Sequence, residues 1–135
     1  MRFVDTNILL YRVSSDPLEV RKQKIASEIL CARDLCLSVQ VLQEFYVQST
    51  RASRPDALSH DEACTLIHSW RRYAVLALTL ELVEQALMAK ERWRLSYWDA
   101  AVLEAARASQ CAQLLSEDLN DGQDYGGVRV VNPFL

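Results

Sequence analysis

Apolar and polar positions alternate along the chain in blocks that change period repeatedly. Arg2-Phe3-Val4 is a short apolar strand that stops at Asp5-Thr6-Asn7, three residue types that open helices, and Ile8-Leu9-Leu10-Tyr11 follows. Asp16-Pro17 marks another start, with Asp as cap and Pro at the first helical position. Residues 17–33 then have helical periodicity, Val20, Ile25, Ile29 and Leu30 opposing Arg21, Lys22, Lys24 and Glu28. Residues 35–39 are continuously apolar, as in a strand covered on both faces. A helix over about 40–53 follows, with Leu42, Phe45, Tyr46 and Ser49 on one side, and Arg54-Pro55 breaks it. Ser59 and Glu62 have capping-box spacing for a helix to about Arg72.

The alternation continues to the end. Residues 74–78 predict a third strand and 79–93 a helix. Ser96-Tyr97-Trp98-Asp99 opens a helix over 98–109 whose alanines (Ala101, Ala105, Ala108) permit close packing on a sheet. Residues 113–116 and 128–131 predict the last two strands. Strands alternating with helices imply an α/β domain with a mainly parallel sheet and helices on both faces. No repeat, linker or low-complexity segment divides the 135 residues, so one domain spans 1–135. A chain of this length buries roughly two thirds of the surface that it exposes unfolded.

Composition narrows the class. Half the residues are hydrophobic, and Gly and Pro number only three each, which excludes disordered and turn-rich all-β chains. The four cysteines (Cys31, Cys36, Cys64, Cys111) lack zinc-ribbon spacing and lie in apolar stretches, so buried free thiols are expected. A charge by position 5 argues against a signal peptide, and no run reaches membrane-spanning length, so a reducing cytoplasmic setting is expected.

The candidate chemistry is acidic. Sites on open parallel sheets form outside the carboxyl ends of strands. Asp5 follows the first strand, Glu44 lies in the helix after the second, and Asp99 opens the helix before the fourth. Asp118 comes two residues after that fourth strand. Carboxylates converging on one cavity repel one another unless a cation compensates. Mg²⁺ takes few carboxylates, keeps several waters, and leaves room for substrate phosphates. The pattern points to metal-assisted phosphodiester hydrolysis.

Each residue also has a purely architectural explanation. Asp5 and Thr6 are good helix caps. Asp99 fits a capping box opened by Ser96. Asp118 sits in Glu117-Asp118-Leu119-Asn120-Asp121-Gly122, which is turn-like; it is not an EF-hand, because Gly122 falls one position early and no Glu closes the loop. Glu44 falls between Val41 and Val47 on its helix, an unusual place for a solvated Glu.

Taken together, Val4-Asp5-Thr6-Asn7, Gln43-Glu44-Phe45, Ser96-Tyr97-Trp98-Asp99-Ala100 and Ser116-Glu117-Asp118-Leu119 resemble, in order and spacing, the four acidic motifs of PIN domains. Size and pattern resemble the VapC-type toxins of toxin–antitoxin pairs. The resemblance implies a PIN-like three-layer domain with a five-stranded sheet in order 3-2-1-4-5. It implies a Mg²⁺-dependent endoribonuclease acting on single-stranded RNA, with Mn²⁺ as a substitute and 3′-hydroxyl and 5′-phosphate ends as products. Asp5 and Asp99 would be metal ligands. Glu44 and Asp118 would hold a second ion or position water. Thr6, Asn7 and Ser116 would support the carboxylates. Asp121 and Asp124 lie near enough to Asp118 to share or replace it as the fourth acid. The implied partners are RNA, a cognate antitoxin and a second copy in a homodimer. An RNA-processing nuclease outside toxin–antitoxin systems and a catalytically inert PIN interaction module are the alternatives.

Other acidic Mg²⁺ pockets fit poorly. A haloacid-dehalogenase phosphatase needs a second Asp where this chain has Asn7, and a receiver domain needs a late Lys, whereas the last here is Lys90. The net charge of −3 and pI of about 5.4 do not suggest a nucleic-acid partner by themselves. The four site carboxylates more than account for that charge, and Arg51, Arg54, Arg71, Arg72, Lys90, Arg92 and Arg94 are candidates for holding RNA. His60 and His68 lie away from the strand ends and are poor acid–base candidates. Trp70, Trp93 and Trp98 are expected in core or dimer packing.

Overall fold

The computed structural model describes all residues, 1–135. Five short strands form one parallel sheet: β1 (Arg2–Val4), β2 (Leu35–Ser38), β3 (Ala74–Leu76), β4 (Gln113–Leu115) and β5 (Arg129–Val131). Their order is β3-β2-β1-β4-β5. Six helices connect them: α1 (Thr6–Arg12), α2 (Val20–Ile29), α3 (Val39–Ser49), α4 (His60–Ser69), α5 (Leu80–Trp93) and α6 (Tyr97–Ala108). The α/β architecture and strand order are those expected from the sequence.

Helices cover both faces of the sheet. Neighbouring residues of a strand point to opposite faces, yet Phe3 and Val4 of β1 and all four residues of β2 are buried. The packing of α1 with α2 and α3, of α3 with α4, and of α5 with α6 supplies the outer layers. α6 is enclosed from Ala100 to Ala106, though Ala108 at its end is exposed.

Boundaries differ from the sequence reading by a few residues, each for a local reason. The helix predicted over 17–33 is a 3₁₀ turn at Pro17–Glu19 followed by α2, which ends at Ile29. Ser38 closes β2 and also caps α3, accepting from Val41 N–H at 3.2 Å, so Val39 is helical rather than extended. The capping box at Ser59 and Glu62 forms as expected, and α4 decays into a 3₁₀ turn at Trp70–Arg72. β3 is an edge strand, shorter than predicted, and Leu78 beyond it is exposed.

One expectation about burial fails in part. Cys36 and Cys111 are buried free thiols, but Cys31 and Cys64 are exposed. Cys31 lies in the turn after α2, and Cys64 faces outward on α4 beside His60. Among the tryptophans, Trp70 is in the core, edge-on to Phe45 with ring centroids 4.7 Å apart. Trp93 is half-buried against Tyr125, while Trp98 is exposed.

Phe45 joins α3 to the core through the Trp70 ring. Phe45→Ala should lower unfolding free energy by about 3–5 kcal/mol, read by denaturant titration with unchanged slope.

Candidate active site

β1 lies at the centre of the sheet, and the chain leaves it first toward β2 and later toward β4. The strand order reverses there, which makes the carboxyl ends of β1 and β4 a topological switch point. Asp5 stands at that point. Its backbone is extended (φ −77°, ψ 162°) and it caps α1, Oδ1 accepting from Thr6 N–H at 2.7 Å. Oδ2 accepts from Ser116 Oγ at 2.6 Å and more weakly from Asn7 Nδ2 at 3.4 Å. The cap is real, yet the carboxylate is only 6% exposed and sits among other acids.

Burial, reinforced by the charges of Asp118 and Glu44, pushes the Asp5 carboxyl up to about 7 against the opposing effect of the Ser116 and Thr6 bonds. The Asp99 carboxyl is also raised, by burial first and then by Asp118 and Glu44. Asp5 and Asp99 therefore sense the same two neighbours, which brings all four sequence-selected acids into one field.

The supporting residues wire these acids together. Thr6 Oγ1 donates to Glu44 Oε2 at 2.8 Å, and Gln40 Nε2 donates to Glu44 Oε1 at 3.0 Å. Asn7 Nδ2 reaches Asp118 Oδ2 at 3.1 Å and Ser116 Oγ at 3.3 Å. Ser116 Oγ also accepts from Asp118 N–H at 3.1 Å, fixing the turn that carries Asp118. Ser96 caps α6 by accepting from Asp99 N–H at 3.1 Å; the reciprocal capping-box bond is absent, while the Ser96 side chain partly opposes the rise of the Asp99 carboxyl.

Asp121 and Asp124 are engaged elsewhere. Asp121 accepts from Asn132 N–H at 2.8 Å, and Asp124 from Gly127 N–H at 2.6 Å, both tying down the loop into β5. Of the acids in this segment, Asp118 is the one linked to Asn7.

Two supports carried no assignment in the sequence reading. Gln40 lies four residues before Glu44, the spacing at which helical side chains meet, and that was the available signal. The other is a brace behind Asp118. Glu117 accepts from Tyr11 Oη at 2.5 Å and pairs with Lys22 Nζ at 2.9 Å. Lys22 lies over the Tyr11 ring, and Tyr11 meets Phe134 edge-on at 4.9 Å. Nothing local in the sequence signals contacts between residues so far apart.

Several candidate RNA-binding arginines have structural duties instead. Arg54 pairs with Asp56 at 2.7 Å beside a cavity of about 610 Å³ that Asn7 and Glu117 also line. Arg72 donates to the Leu30 and Ser69 carbonyls and lies over the Tyr73 ring. Arg92 lies over Trp93. His60 bonds Tyr46 Oη at 2.9 Å, and His68 faces Arg71 at 3.3 Å, so neither is tied to the acidic cluster.

The donor set fits a hard divalent cation. Every candidate ligand is oxygen, and Asn7 Oδ1 is buried with no hydrogen-bond partner beside these carboxylates. No three acidic side chains converge tightly enough to grip a bare ion. Mg²⁺ does not require that, because one or two carboxylates and several waters complete its shell.

The PIN domain family model matches residues 2–120. The chain belongs to the PIN-domain family. PIN domains generally use divalent metal ions, in keeping with this all-oxygen cluster. No curated protein is matched significantly by the sequence. Among solved structures, this PIN domain is similar to a toxin–antitoxin complex from Klebsiella pneumoniae, at 17% identity and TM-score 0.72 over 98% of each chain. It is also similar to VapC20 of Mycobacterium tuberculosis, a sarcin–ricin-loop-cleaving toxin, at 20% identity and TM-score 0.68, covering 87% of this chain and 90% of that one. DNA-bound VapBC from Salmonella typhimurium matches at 12% identity and TM-score 0.64, over 96% of this chain and 95% of that one. At these identities the likeness is one of fold. No helix is long and apolar enough to cross a membrane.

The raised Asp5 carboxyl makes stability pH-dependent. The folded metal-free protein holds this proton to about pH 7, whereas an unfolded Asp loses it near its ordinary value of 3.8. This group's contribution is therefore most favourable below pH 4 and declines up to about pH 7. Asp5→Asn keeps a good cap and removes the buried charge. It should stabilise the metal-free protein at pH 8 by about 2 kcal/mol and flatten the decline, read by thermal melts across pH.

Proposed function

We propose that this PIN domain is a Mg²⁺-dependent endoribonuclease that hydrolyses single-stranded RNA, and that it is the toxin of a type II toxin–antitoxin pair. The observation that carries the reading is the buried Asp5 carboxylate at the switch point, held in one electrostatic field with Glu44, Asp99 and Asp118. Such a cluster is unfavourable for folding unless a cation compensates it.

On this reading Asp5 and Asp99 hold the metal, and Glu44 and Asp118 complete the site or position water. Thr6 and Gln40 fix the two oxygens of Glu44. Ser116 and Asn7 fix Asp5 against the Asp118 turn. When bound, Mg²⁺ or Mn²⁺ supplies an activated water and offsets charge on the scissile phosphate. In-line attack leaves a 3′-hydroxyl and a 5′-phosphate. The chain itself contributes orientation: Asp5, Glu44 and Asp118 are fixed by donors before substrate arrives, so little reorganisation is left to the reaction.

The fold likeness to toxin–antitoxin structures supports a cognate antitoxin as partner, and the family resemblance supports a homodimer acting in the cytoplasm. Growth arrest on expression, relieved by co-expression of a neighbouring small gene, is the expected behaviour in cells. Harmless expression of an active enzyme would instead indicate an RNA-processing nuclease.

The test is cleavage of tRNA, ribosomal RNA and unstructured RNA by purified protein with Mg²⁺, with Mn²⁺ or with EDTA. Cleavage should require the metal. Asp5→Ala and Asp99→Ala should each lower the rate by about 100-fold or more, the scale of losing about 3 kcal/mol of transition-state stabilisation. Cleavage that persists in EDTA or in both variants would refute the carboxylate site. A folded protein that takes up no Mg²⁺ or Mn²⁺ by calorimetry would be an inert scaffold.

A further inference from the structure

Trp98 is 62% exposed although it directly precedes Asp99. A large aromatic left in solvent loses the burial that usually justifies it. Its ring meets Tyr97 edge-on, with centroids 5.1 Å apart and planes at 80°, a contact that leaves an indole face free. The ring walls a cavity of about 480 Å³ that also includes Gln43, Glu44, Val47, Gln48 and Arg51, so one of the four candidate acids, Glu44, lines it.

Five of the six other lining side chains carry polar groups, although most of the surface that the lining presents to the cavity is apolar. Among themselves its side chains make one hydrogen bond, from Gln40 to Glu44. The amides of Gln43 and Gln48 and the guanidinium of Arg51 have no side-chain partner in the chain, in contrast to Arg54 and Arg72 nearby in sequence. A free aromatic face, two unspent amides and an unpaired guanidinium beside a catalytic carboxylate match one ligand class. A nucleobase stacks on aromatic rings and presents donors and acceptors along its edge, and its phosphate takes an arginine.

We propose that this cavity is a nucleobase subsite. Trp98 stacks a base adjoining the scissile phosphate, Gln43 and Gln48 contact that base's edge, and Arg51 holds a neighbouring phosphate. The inference rests on the nuclease reading and deepens it by assigning where the strand lies relative to Glu44 and Asp99. A second copy of the chain is the less favoured occupant, because burying the Gln43 and Gln48 amides and the Arg51 guanidinium against it costs free energy unless each finds a partner there.

The experiment compares wild type, Trp98→Ala, Trp98→Phe and Gln43→Ala. Binding of a short, labelled single-stranded RNA is measured by anisotropy in EDTA, alongside the same ribose–phosphate chain lacking bases. Trp98→Ala should weaken RNA binding about 5- to 50-fold, and Trp98→Phe should stay within about threefold of wild type. The abasic chain should bind wild type and Trp98→Ala alike. In Mg²⁺, Trp98→Ala and Gln43→Ala should act mainly on KM, a split that a disturbed Asp99 would not produce.

Wild-type cleavage with unchanged RNA affinity in Trp98→Ala overturns the subsite and leaves the nuclease reading intact. Sedimentation in which Trp98→Ala turns a dimer into a monomer without altering RNA affinity also overturns it, and assigns the surface to a second copy. RNA binding that depends on Trp98 in a protein that never cleaves supports the subsite and refutes the nuclease. Wild type that neither binds nor cleaves the RNA overturns both.

Discussion

The structure turns on one unfavourable placement, a carboxylate buried at the end of the central strand. Asp5 is enclosed by the elements that make the fold: β1 delivers it, α1 begins on it, and the segment after β4 brings Ser116 onto it. The hydrogen bonds from Thr6 and Ser116 lower the cost of its charge but do not cancel it, because burial opposes them first, with Asp118 and Glu44 adding to it. The domain tolerates this only because the sheet beneath is covered on both faces by an apolar core. Stability and chemistry thus draw on the same few residues in opposite directions.

The rigidity of the site follows from its second layer. Glu44 has both oxygens engaged, one by Thr6 from the β1 end and one by Gln40 on its own helix. Asn7 ties Asp5 to the Asp118 turn, and the Tyr11–Lys22–Glu117 brace holds that turn from behind. Asp99 comes from another direction, at the start of the most enclosed helix, α6. Of the four parts of the chain that carry the acids, only the Asp118 segment is a long loop, and Ser116 and Asn7 tie it down at its start, which favours fixed geometry over induced closure.

Much of the architecture was legible in the sequence because strand and helix periods alternate cleanly and the punctuation is chemical: Asp5, Ser59 and Ser96 all cap helices where expected. The acids stood out because Asp5 and Asp118 follow strands, and Glu44 and Asp99 lie in helices that follow or precede one. Local pattern could not show what each side chain meets. Arg54 and Arg72 read like Arg51, yet the first two are consumed by Asp56 and by the Leu30 carbonyl. Cys31 and Cys64 lie in apolar stretches but are exposed, since the turn after α2 carries the first and the outward face of α4 the second. Trp98 looked like packing material, and only the position of α6 reveals that its ring faces out. Exposure and pairing are tertiary facts, set by residues tens of positions away.

The order of the strands also governs when the domain can exist. β1 is made first but is flanked by β2 on one side and by β4, near the other end of the chain, on the other. A nascent chain emerging from the ribosome exposes one edge of its central strand until residues 113–115 arrive. Ser116, the donor that makes burial of Asp5 tolerable, comes later still. The acidic cluster is therefore assembled last although its first member is translated almost at once, so a partly synthesised or truncated chain carries the motif without the site.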